Sequence, residues 1–454
     1  MLRAEPHAVK IGEIGWRHTV AKDRCLTLVR LPASTGGADH CGDGIALADR
    51  LFLQSHADVS AGERLALAAE KGPRVGVRQT PDAFVKISNE ELLMTASSPI
   101  ARHVLRLAAL AFGLALSTAI IAASPNSYQV HNLVSDVAGE ADNTDTNLVN
   151  AWGIALSPTS PMWVANNGTG TSTVYNGTGA LLLTVTVPPV SGTGQGVPTG
   201  ITFNLGSSPT STDFLVAGAG TAARFLWATE DGGIAAWAGG ASATIKFAAT
   251  DGASYKGLAM AGDGGSHFRI YAADFHNGKI DVIDFTFAQT TVPGGFADPT
   301  IPAGFAPFNI ANIQGDLYVA YALKEEDEDD EVAGPGLGFV NVFDADGFLI
   351  RRVASRGKLN APWGMALAPS GFGKFSNHLL VGNFGDGTIN AYDLKNSTFA
   401  GQLRTTNGQV LKIDGLWGIA FGNGFQQQPT DTLFFAAGPD EETHGLYGRI
   451  EPAP

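Results

Sequence analysis

The sequence has few cysteines and few charged side chains, and both shortages limit what the protein can be. Only two cysteines occur in 454 residues, Cys25 and Cys41, and both lie before residue 94. The rest of the chain therefore has neither a disulfide framework nor a thiolate metal site available to it. Charged residues make up 16% of the chain, well below the roughly 25% of an average soluble domain.

Several functional motifs are also missing. The sequence contains no phosphate-binding P-loop, no dinucleotide-binding glycine fingerprint and no G-x-S-x-G nucleophile elbow. Phosphoryl transfer, hydride transfer and serine-hydrolase chemistry thus have no support. Residues 124–454 carry 31 acidic and only 15 basic side chains. Because nucleic acids and anionic membranes both require a basic face, we expect neither as a partner.

Glycine and proline, in contrast, are abundant. The chain has 57 Gly and 23 Pro, residues that break helices and occupy tight turns. An apolar content of 44% is enough for a substantial core. This composition predicts an all-β protein with many tight turns.

The segment 94–123 has the pattern of a secretory signal peptide. Arg102 and Arg106 precede an apolar run, Leu107–Ala123, that ends in small residues. We predict cleavage near Ala123 and export to the periplasm or the extracellular space, with no stable membrane insertion afterwards. An uncleaved anchor is the alternative, since about 20 apolar residues span a bilayer.

A signal peptide normally begins at the initiator methionine, and Met94 stands at that position here. We predict that translation starts at or near Met94 and that residues 1–93 are an upstream extension without a fold, because they show no sustained period of 2 or 3.6. A cytoplasmic domain joined to a transmembrane anchor is the alternative. Residues 124–454 then form the folded, monomeric domain.

One strand pattern occurs six times after residue 150. Its clearest copies are Ala151–Leu156, Pro362–Leu367 and Leu416–Phe421. The marker positions are Gly153, Gly200, Gly257, Asn309, Gly364 and Gly418. They are 47 to 57 residues apart, the spacing of propeller blades with long loops. The repeat predicts a six-bladed β-propeller.

Each copy continues with further strands in the same order. The predicted second strands are Met162–Ala165, Phe214–Ala217, Ile270–Ala273, Leu317–Ala320, Leu379–Gly382 and Leu433–Ala436. Third strands follow after turns, and fourth strands are present in five copies, but the chain ends before the sixth can form one. Tyr128–Val134 alternates like a strand and precedes the first copy. We predict that it completes the last blade and closes the ring, which removes the exposed sheet edges.

Certain stretches resemble a known family. They are Phe296–Ile310, Leu359–Gly364, Val381–Asn390, Asp414–Trp417 and Glu442–Leu446. They resemble exported bacterial proteins of unassigned function with six-bladed propellers, over roughly residues 128–451. More distantly, the pattern is similar to NHL repeats and to the SMP-30/gluconolactonase group, which implies calcium-dependent lactone hydrolysis. That group binds its metal through Glu, Asn and Asp around the channel, and no first strand here begins with a matching Glu.

The candidate binding residues lie where the innermost strands start and where the second strands turn into the third, since both sets should meet on one face of the channel. The predicted ligand-binding residues are Asn150, Asn166, Asn167, Lys256, Asn309, Asn383 and Asp386. Asn309, Asn383 and Asp440 offer oxygen atoms that suit a hard cation such as Ca²⁺. Asn and Asp beside Gly are equally typical of ordinary hairpin turns.

Two carboxylate–imidazole pairs are the catalytic candidates. They are Asp274 with His276 and Glu442 with His444, each two residues apart and so on one side of an extended segment. Such a pair can supply a general base with its orienting acid, or two metal ligands. Solvation in a turn is the alternative.

Two further features have competing interpretations. The acidic run Glu325–Glu331 is typical of a solvated loop, or attracts a cation if it overhangs the channel. Trp152, Trp363 and Trp417 recur at one position of the innermost strand, which favours packing between blades over a sugar-stacking platform.

These patterns lead to two hypotheses. In the first, an exported propeller binds a small molecule, glycan or protein at its channel face, around a divalent cation such as Ca²⁺ or without any cofactor. In the second, the protein is a metal-dependent hydrolase or lactonase of the same fold. The sequence leaves open whether the protein is an enzyme.

Overall fold

The strands follow the repeat in the sequence. The computed structural model describes residues 125–453, except 209, 217–220 and 326–328. The predictions for residues 1–93 and for the signal segment 94–123 lie outside the described residues. Helical structure within the described part is confined to two 3-10 turns, Asn167–Thr169 and Gly373–Phe375. No described helix is long and apolar enough to cross a membrane.

Six antiparallel sheets, called blades 1 to 6 in chain order, confirm the predicted propeller. Their innermost strands are β3 (Ala151–Ala155), β7 (Pro198–Phe203), β11 (Tyr255–Gly262), β15 (Phe305–Ile313), β19 (Pro362–Leu367) and β23 (Leu416–Phe421). The second strands are β4 (Met162–Asn166), β8 (Phe225–Thr229), β12 (Phe268–Asp274), β16 (Asp316–Leu323), β20 (Leu379–Asn383) and β24 (Leu433–Ala437).

Two more strands complete each blade. The third strands are β5 (Thr171–Tyr175), β9 (Gly233–Trp237), β13 (Lys279–Ile283), β17 (Phe339–Phe343), β21 (Ile389–Asp393) and β25 (Leu446–Pro452). The outer strands of blades 1 to 5 are β6 (Leu181–Thr186), β10 (Thr244–Ala248), β14 (Gln289–Thr290), β18 (Leu349–Ser355) and β22 (Thr398–Gln402).

The ring closes as predicted. Strand β1 (Tyr128–Ser135) pairs antiparallel with β25, from Tyr128 opposite Pro452 to Ser135 opposite Leu446. A two-residue strand, β2 (Asn143–Thr144), adds parallel to β1. The first and last parts of the propeller thus share blade 6, which leaves no unpaired gap between them.

The predicted second strand of blade 2 at Phe214–Ala217 is wrong. Phe214 lies in a loop with a positive φ of 57°, is fully buried, and packs edge-on against Phe287 of blade 3. The strand is instead Phe225–Thr229, whose residues are all buried. A run of four apolar residues has the same sequence pattern in a buried strand as in a loop that is anchored in the core. Here the run belongs to such a loop.

At the marker residues the innermost strands of neighbouring blades approach each other backbone to backbone. A Cβ on Gly153 would lie 2.6 Å from the carbonyl oxygen of Thr199, and one on Gly418 would lie 2.6 Å from that of Trp152. Only glycine fits such contacts. Blade 4 has Asn309 at this position, and its side-chain amide donates to the carbonyl of Trp363, 2.8 Å away.

The core is divided among the gaps between blades. Six clusters of buried apolar side chains each join two neighbouring blades. A seventh lies on the axis and includes Trp152, Trp363 and Trp417. The prediction that these tryptophans are buried is confirmed, at 2%, 4% and 0% exposure. Their predicted packing between blades is also confirmed, since Trp152 of blade 1 stacks on Trp417 of blade 6 and Trp363 of blade 5 meets Trp417 edge-on. These contacts lie at the axis, because the tryptophans stand at the start of the innermost strands.

Candidate functional site

The starts of the innermost strands and the turns after the second strands share one face of the ring. The register shows this directly, since Ala151 pairs with Asn166 and Pro362 with Asn383. Side chains from these segments converge at the end of the channel on that face, here called the channel mouth. The predicted convergence of the two sets of segments is confirmed.

The floor of the channel mouth is aromatic. Trp152 stacks on Trp417 with ring centroids 3.8 Å apart, and Phe384 covers Trp417 at 3.9 Å. Trp363 meets Trp152 edge-on at 6.2 Å, and Phe308 contacts Trp417 at 5.6 Å. This aromatic plug closes the channel, so the mouth is a recess and not the entrance of a pore.

A chain of side-chain hydrogen bonds crosses the mouth above the plug. Asn150 accepts from the indole N–H of Trp152 at 2.7 Å and donates to Glu442 Oε2 at 2.9 Å. Asn167 donates to Glu230 Oε2 at 2.7 Å. Glu230 Oε1 then accepts from Lys256 Nζ at 2.6 Å. The Asn150 amide also donates to Asn167 Oδ1 at 3.5 Å, so residues from blades 6, 1, 2 and 3 are joined in one polar arrangement.

Lys256 is the cation of this arrangement. Its side chain is 3% exposed, and its Nζ lies 5.4 Å from the centroid of the Trp152 ring. Burial opposes the charge, but the carboxylate of Glu230 outweighs burial, and the pKa of Lys256 lies above its ordinary value. Lys256 is thus charged at all physiological pH values.

Carboxylates outnumber this lysine. Asp330 Oδ1 lies 3.8 Å from Lys256 Nζ, and Glu331 follows it in the loop of blade 4. Burial raises the pKa of Glu331 to about 8, opposed by Lys256 and assisted by Glu442. Burial and the charge of Glu230 raise the pKa of Glu442 to about 7. Both shifts show negative charge crowded where water is scarce.

Glu442 is held by an unusual turn. Asp440, Glu441 and Glu442 have φ angles of 54°, 55° and 64°, three successive non-glycine residues in the left-handed region. Such a run costs conformational energy and persists only where its surroundings enforce it. Here the Glu442 amide donates to the carbonyl of Gly438 at 3.2 Å, and the carboxylate bonds Asn150. The turn directs the Glu442 side chain to the mouth.

A second lysine lies among carboxylates in blade 3. Asp251, Asp274 and Asp281 are the only described residues that bring three carboxylate oxygens within 4.8 Å of one another. Lys279 Nζ lies between them, 2.7 Å from Asp251 and Asp281 and 3.5 Å from Asp274. The ammonium group occupies the place that a metal ion would need.

The structure brings some of the predicted residues to the mouth and uses others within their own turns. Asn150, Asn167, Lys256 and Glu442 belong to the polar chain described above. The Asn383 amide instead donates to Thr388 Oγ1 and Asp386 Oδ1, both at 3.1 Å, and Asn166 bonds Thr171 and Thr173. These asparagines stabilise hairpins.

The predicted metal ligands have separate surroundings. Asn309 is bonded to Trp363 on the axis, and Asn383 is enclosed in its turn. Asp440 is exposed, and its amide donates to Asp414 Oδ2 at 3.1 Å. Asp440 does not belong to the carboxylate cluster that the described residues gather closely.

The predicted carboxylate–imidazole pairs do not pair internally. His276 Nδ1 lies 2.6 Å from Asp329, whereas Asp274 is buried and bonded to Asn277. His444 Nδ1 lies 2.9 Å from Asp136, and this hydrogen bond raises the pKa of the imidazole. Each histidine thus has a partner distant in sequence.

Sequence reasoning missed Glu230. It stands in the turn between β8 and β9, the same turn that supplies Asn167 in blade 1. Its blade was misregistered at Phe214–Ala217, so Glu230 was not recognised as a residue of this turn. Of the acidic run, Asp329, Asp330 and Glu331 reach the mouth or its rim, which agrees with the overhanging interpretation.

Two curated relatives cover most of the propeller. The chain is 34% identical over 337 residues to the uncharacterized protein R648 of Acanthamoeba polyphaga mimivirus, covering 71% of this chain and 80% of that protein. It is 32% identical over 337 residues to the uncharacterized protein L690 of the same virus, covering 71% and 86%. No family model matches the sequence. Since both relatives are viral, the bacterial origin of the resembling family stays a prediction.

Solved propellers are more distant. A streptogramin B lyase structure has 13% identity and a TM-score of 0.43, covering 72% of this chain and 97% of that chain. A gluconolactonase from Xanthomonas campestris has 15% identity and a TM-score of 0.33, covering 50% and 82%. At these identities and TM-scores the two likenesses support no conclusion about this chain.

Proposed function

The chain belongs to the family of these uncharacterized mimivirus proteins, and from its own geometry we propose that it binds an organic cation at the channel mouth. The ligand would be a small molecule, or a group on a larger partner, that carries an ammonium or guanidinium group. This makes the predicted ligand-binding function at the channel face more specific.

The observation that carries the proposal is an excess of carboxylates over cations around the buried Lys256. Lys256 supplies one positive charge, whereas the carboxyl groups around it number four: Glu230, Asp330, Glu331 and Glu442. The raised pKa values of Glu331 and Glu442 mean that these two carboxyl groups hold protons until the pH approaches 7 to 8. A bound cation supplies the missing positive charge and replaces those protons.

The aromatic floor favours an organic cation. Ammonium and guanidinium groups are attracted to the faces of tryptophan rings within about 6 Å. Lys256 already makes this contact with Trp152 at 5.4 Å. A second cation above the plug would meet the partly exposed ring of Phe384, which covers the buried Trp417.

A divalent metal fits the mouth less well. Ca²⁺ needs six to eight oxygen ligands at about 2.3–2.6 Å. Among the described residues, only the Asp251, Asp274 and Asp281 cluster brings three carboxylates that close, and Lys279 fills it. The carboxylates of the mouth are more widely spaced, which suits a larger cation. We therefore rank the calcium-dependent hydrolase second.

Calorimetric titration with spermidine and choline at pH 8.5 and pH 5.5 tests the proposal. We expect binding at pH 8.5 that is about tenfold or more weaker at pH 5.5, because Glu331 and Glu442 are protonated there. Glu442→Gln keeps the shape and removes the charge, and should weaken binding about tenfold, the loss of one charged contact. Glu451→Gln, at the opposite end of β25, is the matched control and should bind normally.

Two results would overturn the proposal. If CaCl₂ binds stoichiometrically and the organic cations do not, the divalent-metal hypothesis gains, and lactone substrates become the next test. If none of the three binds at pH 8.5 to protein with a normal melting transition, the mouth is not a cation site.

Export is a separate proposal that rests on residues 94–123 alone. Expression from Met94 in a bacterial host should give exported protein whose mass begins at Ser124. Protein that keeps the apolar segment and sediments with membranes would favour the anchor instead.

A further inference from the structure

The opposite end of the channel is a cavity of about 500 Å³ beneath the aromatic plug. Its walls are the later halves of the six innermost strands, and its rim includes Leu205, Pro158 and Phe421. Trp363 is part of its inner end. Because the innermost strands start at the mouth, this cavity opens on the other face of the ring.

One apolar side chain from each blade contributes to the wall. These residues are Ile154, Ile201, Leu258, Ile310, Met365 and Ile419. None of the lining side chains, all in the described part of the chain, carries a charge. This is unusual in a chain of net charge −14, and it contrasts with the carboxylates on the other side of the plug.

The polar lining groups are largely committed to the protein. Asn309 donates to the carbonyl of Trp363 at 2.8 Å and accepts from the amide of Ile310 at 2.8 Å. Asn312 donates to the carbonyl of Met260 at 2.7 Å. These bonds hold the wall in place. Because no lining side chain carries a charge, a charged guest would be buried without a counter-charge.

We propose that this cavity binds one uncharged, mainly apolar small molecule. Its volume lies within the roughly 300–1,000 Å³ range of small-molecule sites, and a rigid, mostly apolar wall is typical of such sites. The plug closes the inner end, so an extended polypeptide cannot pass through. The protein therefore has two sites of opposite character at the two ends of one channel.

Fluorescence titration with N-phenyl-1-naphthylamine, an uncharged apolar probe, tests this. We expect saturable binding of one probe per chain. The anionic probe 8-anilinonaphthalene-1-sulfonate should bind at least about tenfold more weakly, because its sulfonate has no partner in the cavity.

A cavity-filling variant locates the probe. Ala311→Phe adds a ring at the lining of the cavity and should weaken binding of the neutral probe about tenfold or more. Ala400→Phe makes the same change on the exposed outer strand β22 and should leave binding unchanged. Equal binding by wild type and Ala311→Phe would overturn the proposal, as would equal affinity for the neutral and anionic probes.

A second pair of variants applies if Ala311→Phe does not fold. Leu205→Arg places a charge at the rim of the cavity, where Leu205 is 50% exposed. Its control is Leu181→Arg, which replaces a side chain that is 46% exposed on β6. The charge at the rim should weaken neutral-probe binding severalfold, whereas the control should not. No difference between the two would show that the probe binds elsewhere. These outcomes do not depend on whether the mouth binds a cation.

Discussion

Two lysines of this protein lie among carboxylates, and their surroundings differ in charge balance. Lys279 Nζ contacts Asp251 and Asp281 directly and approaches Asp274, and the pKa of Asp251 is lowered by its hydrogen bond to Lys279. Lys256 contacts Glu230 closely, whereas Glu331 and Glu442 have raised pKa values.

The difference distinguishes an internal ion cluster from a candidate ligand site. Around Lys279 one ammonium group reaches three carboxylates, and neutral side chains donate further hydrogen bonds to Asp274 and Asp281, so the arrangement is held without a ligand. At the mouth one ammonium group serves a larger set of carboxylates over an aromatic floor, and protons compensate the remainder. Counting acidic residues does not separate the two cases, but the direction of the pKa shifts does.

Removal of Lys256 should have the largest effect on this comparison. Lys256→Met leaves the carboxylate of Glu230 without its cation. Because the Glu230 side chain is 27% exposed, we expect a loss of about 3 kcal/mol in the free energy of unfolding at pH 8, the lower end for a buried pair. The loss should shrink at pH 5, where Glu331 and Glu442 are protonated. Chemical denaturation at both pH values measures it. Lys395→Met, in an exposed turn, is the control and should change little.

The pH dependence of stability should separate the two lysine clusters. Because folding raises the pKa of Glu331 and Glu442 above 4.5, the folded protein binds more protons than the unfolded chain. Their stabilising contribution is complete below pH 4.5 and is lost as the pH rises through 7 and 8.

The melting temperature should therefore fall by several degrees over this pH interval from these two groups. The double variant Glu331→Gln/Glu442→Gln should have a flatter pH profile. An unchanged profile in the double variant would show that other groups cause the dependence.

Removal of Lys279 should have a smaller effect, because its side chain is 37% exposed. We expect Lys279→Met to lose about 2 kcal/mol, the value of its charged hydrogen bonds. It also frees three carboxylates within 4.8 Å. Added CaCl₂ should then raise the melting temperature of the variant by binding to these carboxylates. The wild type should show no such rise from this cluster. Equal calcium responses would contradict the view that Lys279 fills the place of a metal.

The smallest effect belongs to Asp251→Asn. The Asp251 side chain is 46% exposed, and exposed ion pairs contribute about 0–1 kcal/mol. We expect a loss below about 1 kcal/mol in denaturant unfolding. A loss as large as that of Lys279→Met would mean that Asp251, and not the buried Asp274 and Asp281, dominates the cluster.

Most of the fold was predictable from the sequence because each blade repeats the same local signals. The innermost strands and the pairing of Tyr128–Ser135 with the last blade were predicted correctly. The second strand of blade 2 was not, since Phe214 is an apolar loop anchor and Phe225–Thr229 is the strand. Blade 2 carries an insertion, and an insertion breaks the spacing on which the prediction depended.

The site was predictable only as a set of positions. Asn150, Asn167, Lys256 and Glu442 were expected at the channel face, and the structure connects them there. Glu230 was missed, and the cavity beneath the plug was not foreseen, because its wall consists of residues that resemble ordinary core. Asn383 and Asp386 have the same turn signature as Asn167 but bond within their own hairpin.

The six blades, the closure of the ring and the glycines at the close approaches of the strands are all evident in the sequence alone. These follow from local periodicity and from steric limits at single positions. Which carboxylates share a lysine emerges from the folded ring, as does the aromatic plug that three tryptophans from blades 1, 5 and 6 form in the channel. Partners such as Asn150 and Glu442 are 292 positions apart in the sequence. The energy of a charge depends on the water and the other charges around it, and these surroundings exist only once the ring has closed.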